Sequence, residues 1–159
     1  MAMKVLTDPF VLNEAVERLQ KLQPGAVRVW GKMSAAGMLC HLNDAYAGMI
    51  GARRASATGA DRSTWAGRNV MRLFALHVPL QWPRGVPTVP EADQLIGGTQ
   101  PKVFEEDRAR VLASMQAFAT MDFDGFGHPI FGRMTQWEWM RWAWLHADHH
   151  LRQFSADRT

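Results

Sequence analysis

The chain of 159 residues and 17.9 kDa has the length of one domain, and 47% hydrophobic with 21% charged residues provides both a core and a solvated surface, which excludes disorder and fibrous repeats. No stretch approaches the roughly 18 consecutive apolar residues of a membrane span, and Met1-Ala2-Met3-Lys4 meets Asp8 and Pro9 before a signal-like run forms, so a cytoplasmic protein is expected. The lone Cys40 fits a reducing compartment. The net charge of +3 is mild and acidic residues interleave with the arginines in Glu105-Glu106-Asp107-Arg108-Ala109-Arg110, so no basic stripe for nucleic acid exists.

Asp8-Pro9 reads as an N-cap followed by a first-turn proline, and Val11, Ala15, Leu19 and Leu22 then recur at helical spacing until Pro24-Gly25 stops the pattern near Gln23. A second helix is predicted from the Ser34 cap through Met38, Leu42, Ala45 and Met49, ending at Gly51. Small and polar residues from Ala52 to Asp61 read as a loop, and Thr64 to Leu76 as a minor helix. Pro79, Pro83, Pro87, Pro90 and Pro101, with Gly85, Gly97 and Gly98, make the stretch 79–101 a long ordered excursion outside regular structure. The helical period returns from Pro101 to Thr120, and Thr135-x-x-Glu138 is a capping box that opens the last helix. Four main amphipathic helices, one minor one and no alternating strand predict an all-α four-helix bundle in which the long connections permit a non-sequential order.

The histidines carry the chemistry. His146 and His150 stand at i and i+4 on the last helix, about 40° apart around its axis, so both imidazoles can reach one divalent ion. Both fall on the buried-looking side. Arg141, Asp148 and Arg152 mark the expected solvent side, and His149 stands between the faces as a bystander. On the second helix His41 shares a stripe with Gly37, Asp44 and Gly48 beside the apolar face and is the natural third ligand. Gly37 and Gly48 read either as room left for a site or as tight helix packing. Three neutral imidazoles suit zinc, nickel, iron or copper and leave a position for water or substrate. Asp44, one turn after His41, reads as a general base on metal-bound water, an orienting partner or a solvated carboxylate. Cys40 points away from His41 as a buried thiol, and His128 beside Pro129 structures a loop or lends a hand to the site. Trp137, Trp139, Trp142 and Trp144 read as core or dimer packing.

Trp30-Gly31-Lys32-Met33-Ser34 leading to His41, and His146-x-x-His149-His150-x-x-Gln153 near the C-terminus, resemble the DinB superfamily of metal-dependent bundle enzymes. His128-Pro129-Ile130-Phe131-Gly132 ahead of the Thr135 helix is similar to a branch of that superfamily described only as a domain of unknown function. The resemblance covers about Leu22 to Phe154. It implies an up-down-down-up four-helix bundle, often a homodimer, with His41, His146 and His150 as ligands of a divalent metal, zinc first among the candidates. It also implies a metal that activates a low-molecular-weight thiol or water, as in the thiol-dependent transferases and isomerases of the superfamily. Gln153 matches a frequent position after the second helix-borne histidine.

The expected function is therefore metal-dependent transfer or hydrolysis on a small molecule, with the 79–101 excursion walling the pocket. The competing expectation is a non-enzymatic bundle whose histidines are structural or hold a stabilising metal, acting through dimerisation or a protein partner.

Overall fold

The structure, a computed structural model, describes residues 3–56, 58, 59, 65–85 and 97–154, for 65–68 the backbone alone. Helix α1 (Pro9–Lys21) starts where Asp8 caps it: the carboxylate accepts the Phe10 N–H at 2.9 Å, and Pro9 enters with φ already set. It stops short of the expected Gln23, because Pro24 disfavours helical backbone at the residue before it. Helix α2 (Ala35–Ala55) opens with the Ser34 hydroxyl accepting the Gly37 N–H at 3.0 Å.

Helix α2 does not end at Gly51 as expected but runs a further turn to Ala55. Glycine ends a helix by taking a left-handed φ, and Gly51 is not among the positive-φ glycines. Arg53 and Arg54 favour the extra turn at its negative end, and Arg53 Nε secures it by donating to the Asp122 carbonyl at 2.9 Å.

The expected minor helix divides in two. Helix α3 (Trp65–Arg72) passes into one π-helical turn, Leu73–His77, and Thr64 lies outside the described residues. Two carbonyls of that widened turn are satisfied from outside it, Ala75 by the Trp82 indole at 2.9 Å and Leu76 by Arg141 Nε at 3.3 Å. Helix α4 (Phe104–Thr120) begins after Pro101, with the buried Asp107 carboxylate accepting the Lys102 N–H at 3.0 Å. Helix α5 (Gln136–Leu151) opens on the predicted capping box, with Glu138 N–H to Thr135 Oγ1 at 3.2 Å and Thr135 N–H to the Glu138 carboxylate at 2.8 Å. It closes in a 3-10 turn, Arg152–Phe154. The strands β1 (Gly127–His128) and β2 (Gly132–Arg133) pair antiparallel, Gly127 opposite Arg133. Two residues are too few to show an alternating pattern, which is why no strand is expected there.

The protein is thus predominantly helical. Helix α1 packs on α4 and α5, and α2 packs on the same two helices. The core between them is aromatic: Trp139, Tyr46, Phe118, Phe123 and Phe126 are fully buried, Phe118 stacks on Phe123 at 4.3 Å, and the Trp139 indole donates to the Phe126 carbonyl at 3.1 Å. Among the described residues no helix is long and apolar enough to cross a membrane.

The supposed solvent side of α5 is covered. Arg141 is 4% exposed and donates to the Leu76 and Lys4 carbonyls. Asp148 accepts from Arg18 of α1 and from Arg152, each at 2.9 Å. Charge on a helical wheel marked solvent only by default; here α1 brings its own arginine to a part-buried ion pair. The tryptophans of α5 are largely used within the chain: Trp139 and Trp142 are buried, Trp144 lies under Arg141, and only Trp137 is appreciably open.

Candidate metal centre

Helices α2 and α5 bring His41, His146 and His150 together. One ring nitrogen from each lies within 4.8 Å of the others. The Nε2 atoms of His41 and His146 are 3.1 Å apart, and the His150 ring centroid is 4.5 Å from that of His41 and 4.9 Å from that of His146. The i, i+4 spacing supplies the α5 pair. A buried tyrosine sets the α2 partner: Tyr46, five residues after His41, donates its hydroxyl to the Ala143 carbonyl of α5 at 2.8 Å. Burial holds that phenol well above its usual range, so Tyr46 is a neutral pin between the helices.

The polar partners fix some ring nitrogens and not others. Gln153 Oε1 lies 3.1 Å from His150 Nδ1. An amide oxygen only accepts, so Nδ1 carries the proton and His150 Nε2 is left with its lone pair. His146 Nδ1 is buried with no hydrogen-bond partner among the described residues. His41 and His150 are buried and His146 half-buried. Burial, and then the neighbouring imidazoles, holds His146 and His150 well below the ordinary histidine range. Those two rings are therefore neutral near pH 7, the form that ligates metal.

The two described ends of the 79–101 excursion flank this cluster, whereas residues 86–96 lie outside the described residues. At one end the Trp82 ring lies 6.2 Å from His146 and 6.1 Å from His149, and Gln81 is tied to α5 by Arg152 at 3.0 Å. At the other end Asp44 accepts both the Thr99 N–H at 2.7 Å and the Thr99 hydroxyl at 2.8 Å. Asp44 is thus placed as an anchor with an oxygen on each bond, and it is not one of the converging ligands.

His149 is buried against the edge of Trp30 at 4.9 Å. Burial, then the Arg152 charge, lowers it to about 4, and it stands outside the three-histidine group. His128 structures its loop: Nδ1 accepts the N–H groups of Ile130 and Phe131 at 3.1 and 3.3 Å, and the ring packs on Phe131, Trp139 and Trp142. His77 Nε2 donates to Glu138 Oε1 at 2.9 Å, at the far end of α5. Cys40 is buried, and burial, then Asp107, raises its thiol to about 11. A Cβ placed at Gly48 would meet no atom within 4 Å, so that glycine makes room neither for the site nor for a packed helix.

Tyr46, Trp82 and Gly31 are the neighbours of the site that residue spacing missed. Tyr46, the only tyrosine, lies off the His41 stripe, so its spacing carries no signal. Trp82 sits in the proline-rich stretch, where no period assigns a face.

No curated protein and no solved structure matches the chain. A family model described as a protein of unknown function, DUF1569, matches residues 8–157. With nearly its whole length matched, the chain belongs to the DUF1569 family.

Proposed function

We propose that the protein is a divalent-metal-dependent enzyme of the DinB-like kind, an up-down-down-up four-helix bundle in which His41, His146 and His150 hold zinc, or nickel or iron in its place. The reading rests on one observation, the convergence of three imidazole nitrogens from two helices within 4.8 Å. The donor set fits the ion. Zinc–nitrogen bonds of about 2.0–2.1 Å at tetrahedral angles separate ligand nitrogens by roughly 3.3–3.4 Å, and the His41 and His146 Nε2 atoms are 3.1 Å apart. A zinc ion held by three histidines brings the pKa of a bound water to about 7 and favours the thiolate of a bound thiol, which suits transfer or hydrolysis on a small electrophile.

The chain's own residues supply the rest. Gln153 fixes the tautomer of His150, Tyr46 fixes α2 against α5, and the Trp82 ring borders the cluster, 6.2 Å from His146 and 6.1 Å from His149. The half-buried face of His146 is the way in for a small substrate. Asp44 serves the site by holding Thr99 and, through it, the end of the excursion.

A non-enzymatic reading, a bundle acting through self-association as a homodimer, has one observation in its favour: Val70, Leu73 and Phe74 are 59%, 56% and 63% exposed on neighbouring turns. Elemental analysis of untagged protein purified without added metal separates the two. The enzyme reading expects about one transition metal per chain, lost in His41→Ala and His150→Ala while the helical circular dichroism persists. Wild type that stays metal-free on titration with zinc and nickel, yet sediments as a dimer, would replace it with the second.

A further inference from the structure

We infer that Gly31 is a positioning residue of the three-histidine site, acting through the Gln153 amide on the ring of His150. The inference rests on the metal reading for its functional meaning and on the geometry around Gln153 for its substance. Gly31 has φ +87°, a left-handed backbone that L side chains rarely adopt. It also lies against Gln153: a Cβ there would come within 3.0 Å of Nε2 and 3.5 Å of Cδ, while Oε1 would be 4.0 Å away. The amide therefore turns its NH2 edge to Gly31 and its oxygen to His150 Nδ1, 3.1 Å off.

The backbone on both sides of this contact is pinned. The Val29 N–H donates to the Gln153 carbonyl at 2.7 Å, and the Trp30 ring abuts His149 at 4.9 Å. Residues 29–31 thus hold the 3-10 turn that carries Gln153, and the missing Cβ of Gly31 leaves the space in which its amide lies. A side chain at position 31 meets the far end of a flexible side chain, so the amide gives way before the fold does. Once it is displaced, His150 Nδ1 loses its acceptor, and neither tautomer nor ring orientation is held. Removing an orienting partner of a ligating histidine typically costs about 10–100-fold in metal affinity.

A double-mutant cycle on the full chain tests this, read by zinc competition against a chromophoric chelator and by imidazole 15N NMR of the metal-free protein. Gly31→Ala and Gln153→Ala should each weaken zinc by about 10–100-fold, and the double variant should bind no more weakly than Gln153→Ala alone. In the metal-free spectrum wild-type His150 should carry its proton on Nδ1, and both single variants should lose that preference. Backbone strain at position 31 lowers the thermal midpoint equally in both backgrounds, so it cannot imitate the coupling. If Gly31→Ala fails to fold, Gly31→Asn adds a Cβ with a side chain that tolerates left-handed backbone and should give the same tautomer change. Additive losses of affinity, or an Nδ1 proton that persists when position 31 is filled, would overturn the inference. Wild type that binds no zinc would remove the metal reading, and the tautomer comparison would still decide whether Gly31 sets Gln153.

Discussion

The two ends of helix α5 both gather histidines and treat them in opposite ways. At the N-terminal end the polar groups find protein partners. The Glu138 carboxylate takes the Thr135 N–H, His77 and Arg72, the Trp139 indole reaches the Phe126 carbonyl, and His128 Nδ1 accepts two backbone N–H groups. Burial pushes Glu138 up, but the hydrogen bonds from His77 and Thr135 and the Arg72 charge outweigh it and hold the carboxyl below its ordinary value. At the C-terminal end the nitrogens of three histidines face one another, and His146 Nδ1 and His149 Nδ1 are buried without partners among the described residues. Each such orphan costs about 1–3 kcal/mol. One end of the helix spends its histidines on the fold. The other leaves buried histidine nitrogens without protein partners among the described residues, and three of its imidazoles lie where they could hold a metal ion.

The largest expected effect tests whether the two ends are separable. Trp139→Ala empties the centre of the aromatic core, where Trp139 is fully buried among Phe118, Phe123 and Phe126, and should cost about 3–5 kcal/mol in urea unfolding. Its folded fraction should still bind zinc at the wild-type ratio, the reverse of the histidine variants, which lose metal and keep the fold. A folded Trp139→Ala protein without metal would mean that the site depends on the aromatic core at the other end of the helix.

His128 sharpens the contrast through pH. Burial lowers it from 6.5 to about 3, and its Nδ1 must stay unprotonated to accept from Ile130 and Phe131. Below pH 6.5 the unfolded chain binds a proton that the folded one refuses. Stability therefore falls as pH falls, by about 1.4 kcal/mol per pH unit for one proton, until the folded state also protonates near pH 3. His128→Asn keeps an acceptor for the two N–H groups and removes the proton. Its acid limb in denaturant titrations of metal-free protein should be shallower by that one-proton slope, whatever its stability at pH 7. The remaining slope includes His146, His149 and His150, whose values are also depressed. An unchanged limb would show that His128 does not resist protonation in the fold.

The same contrast explains what could be read from the sequence. Caps and periods are local, so Asp8, Ser34 and the Thr135–Glu138 box mark the observed helix starts. The helical wheel brings His146 and His150 onto one face, and the structure adds His41 to them. Relations that cross the chain were invisible. The burial of Arg141 and Asp148 depends on the Leu76 and Lys4 carbonyls and on Arg18, the last 130 residues from its partner. Trp82 reaches His146 from a segment without period. Gly51 shows a local signal overruled, since a glycine ends a helix only where its φ turns positive, and the extra turn is held by Arg53 on a distant carbonyl.

Asp44 is the smallest test and concerns the border of the site. Its position one turn after His41 suggested a base, yet its carboxylate receives the Thr99 N–H and hydroxyl at 2.7 and 2.8 Å. Each of its oxygens is thus already engaged by Thr99. Asp44→Asn keeps an oxygen for the Thr99 N–H and weakens the second bond, so the loss of stability should be no more than about 1 kcal/mol for these solvent-exposed bonds. Zinc affinity should not change, because Asp44 is outside the group of converging nitrogens. Thr99→Val, which removes the hydroxyl and leaves Asp44 charged, should cost about the same by thermal unfolding. If the two variants match in stability and in zinc affinity, Asp44 acts through Thr99 alone. If Asp44→Asn weakens zinc and Thr99→Val does not, the carboxylate acts on the histidine cluster directly, and the site extends one turn further along α2 than its three nitrogens mark.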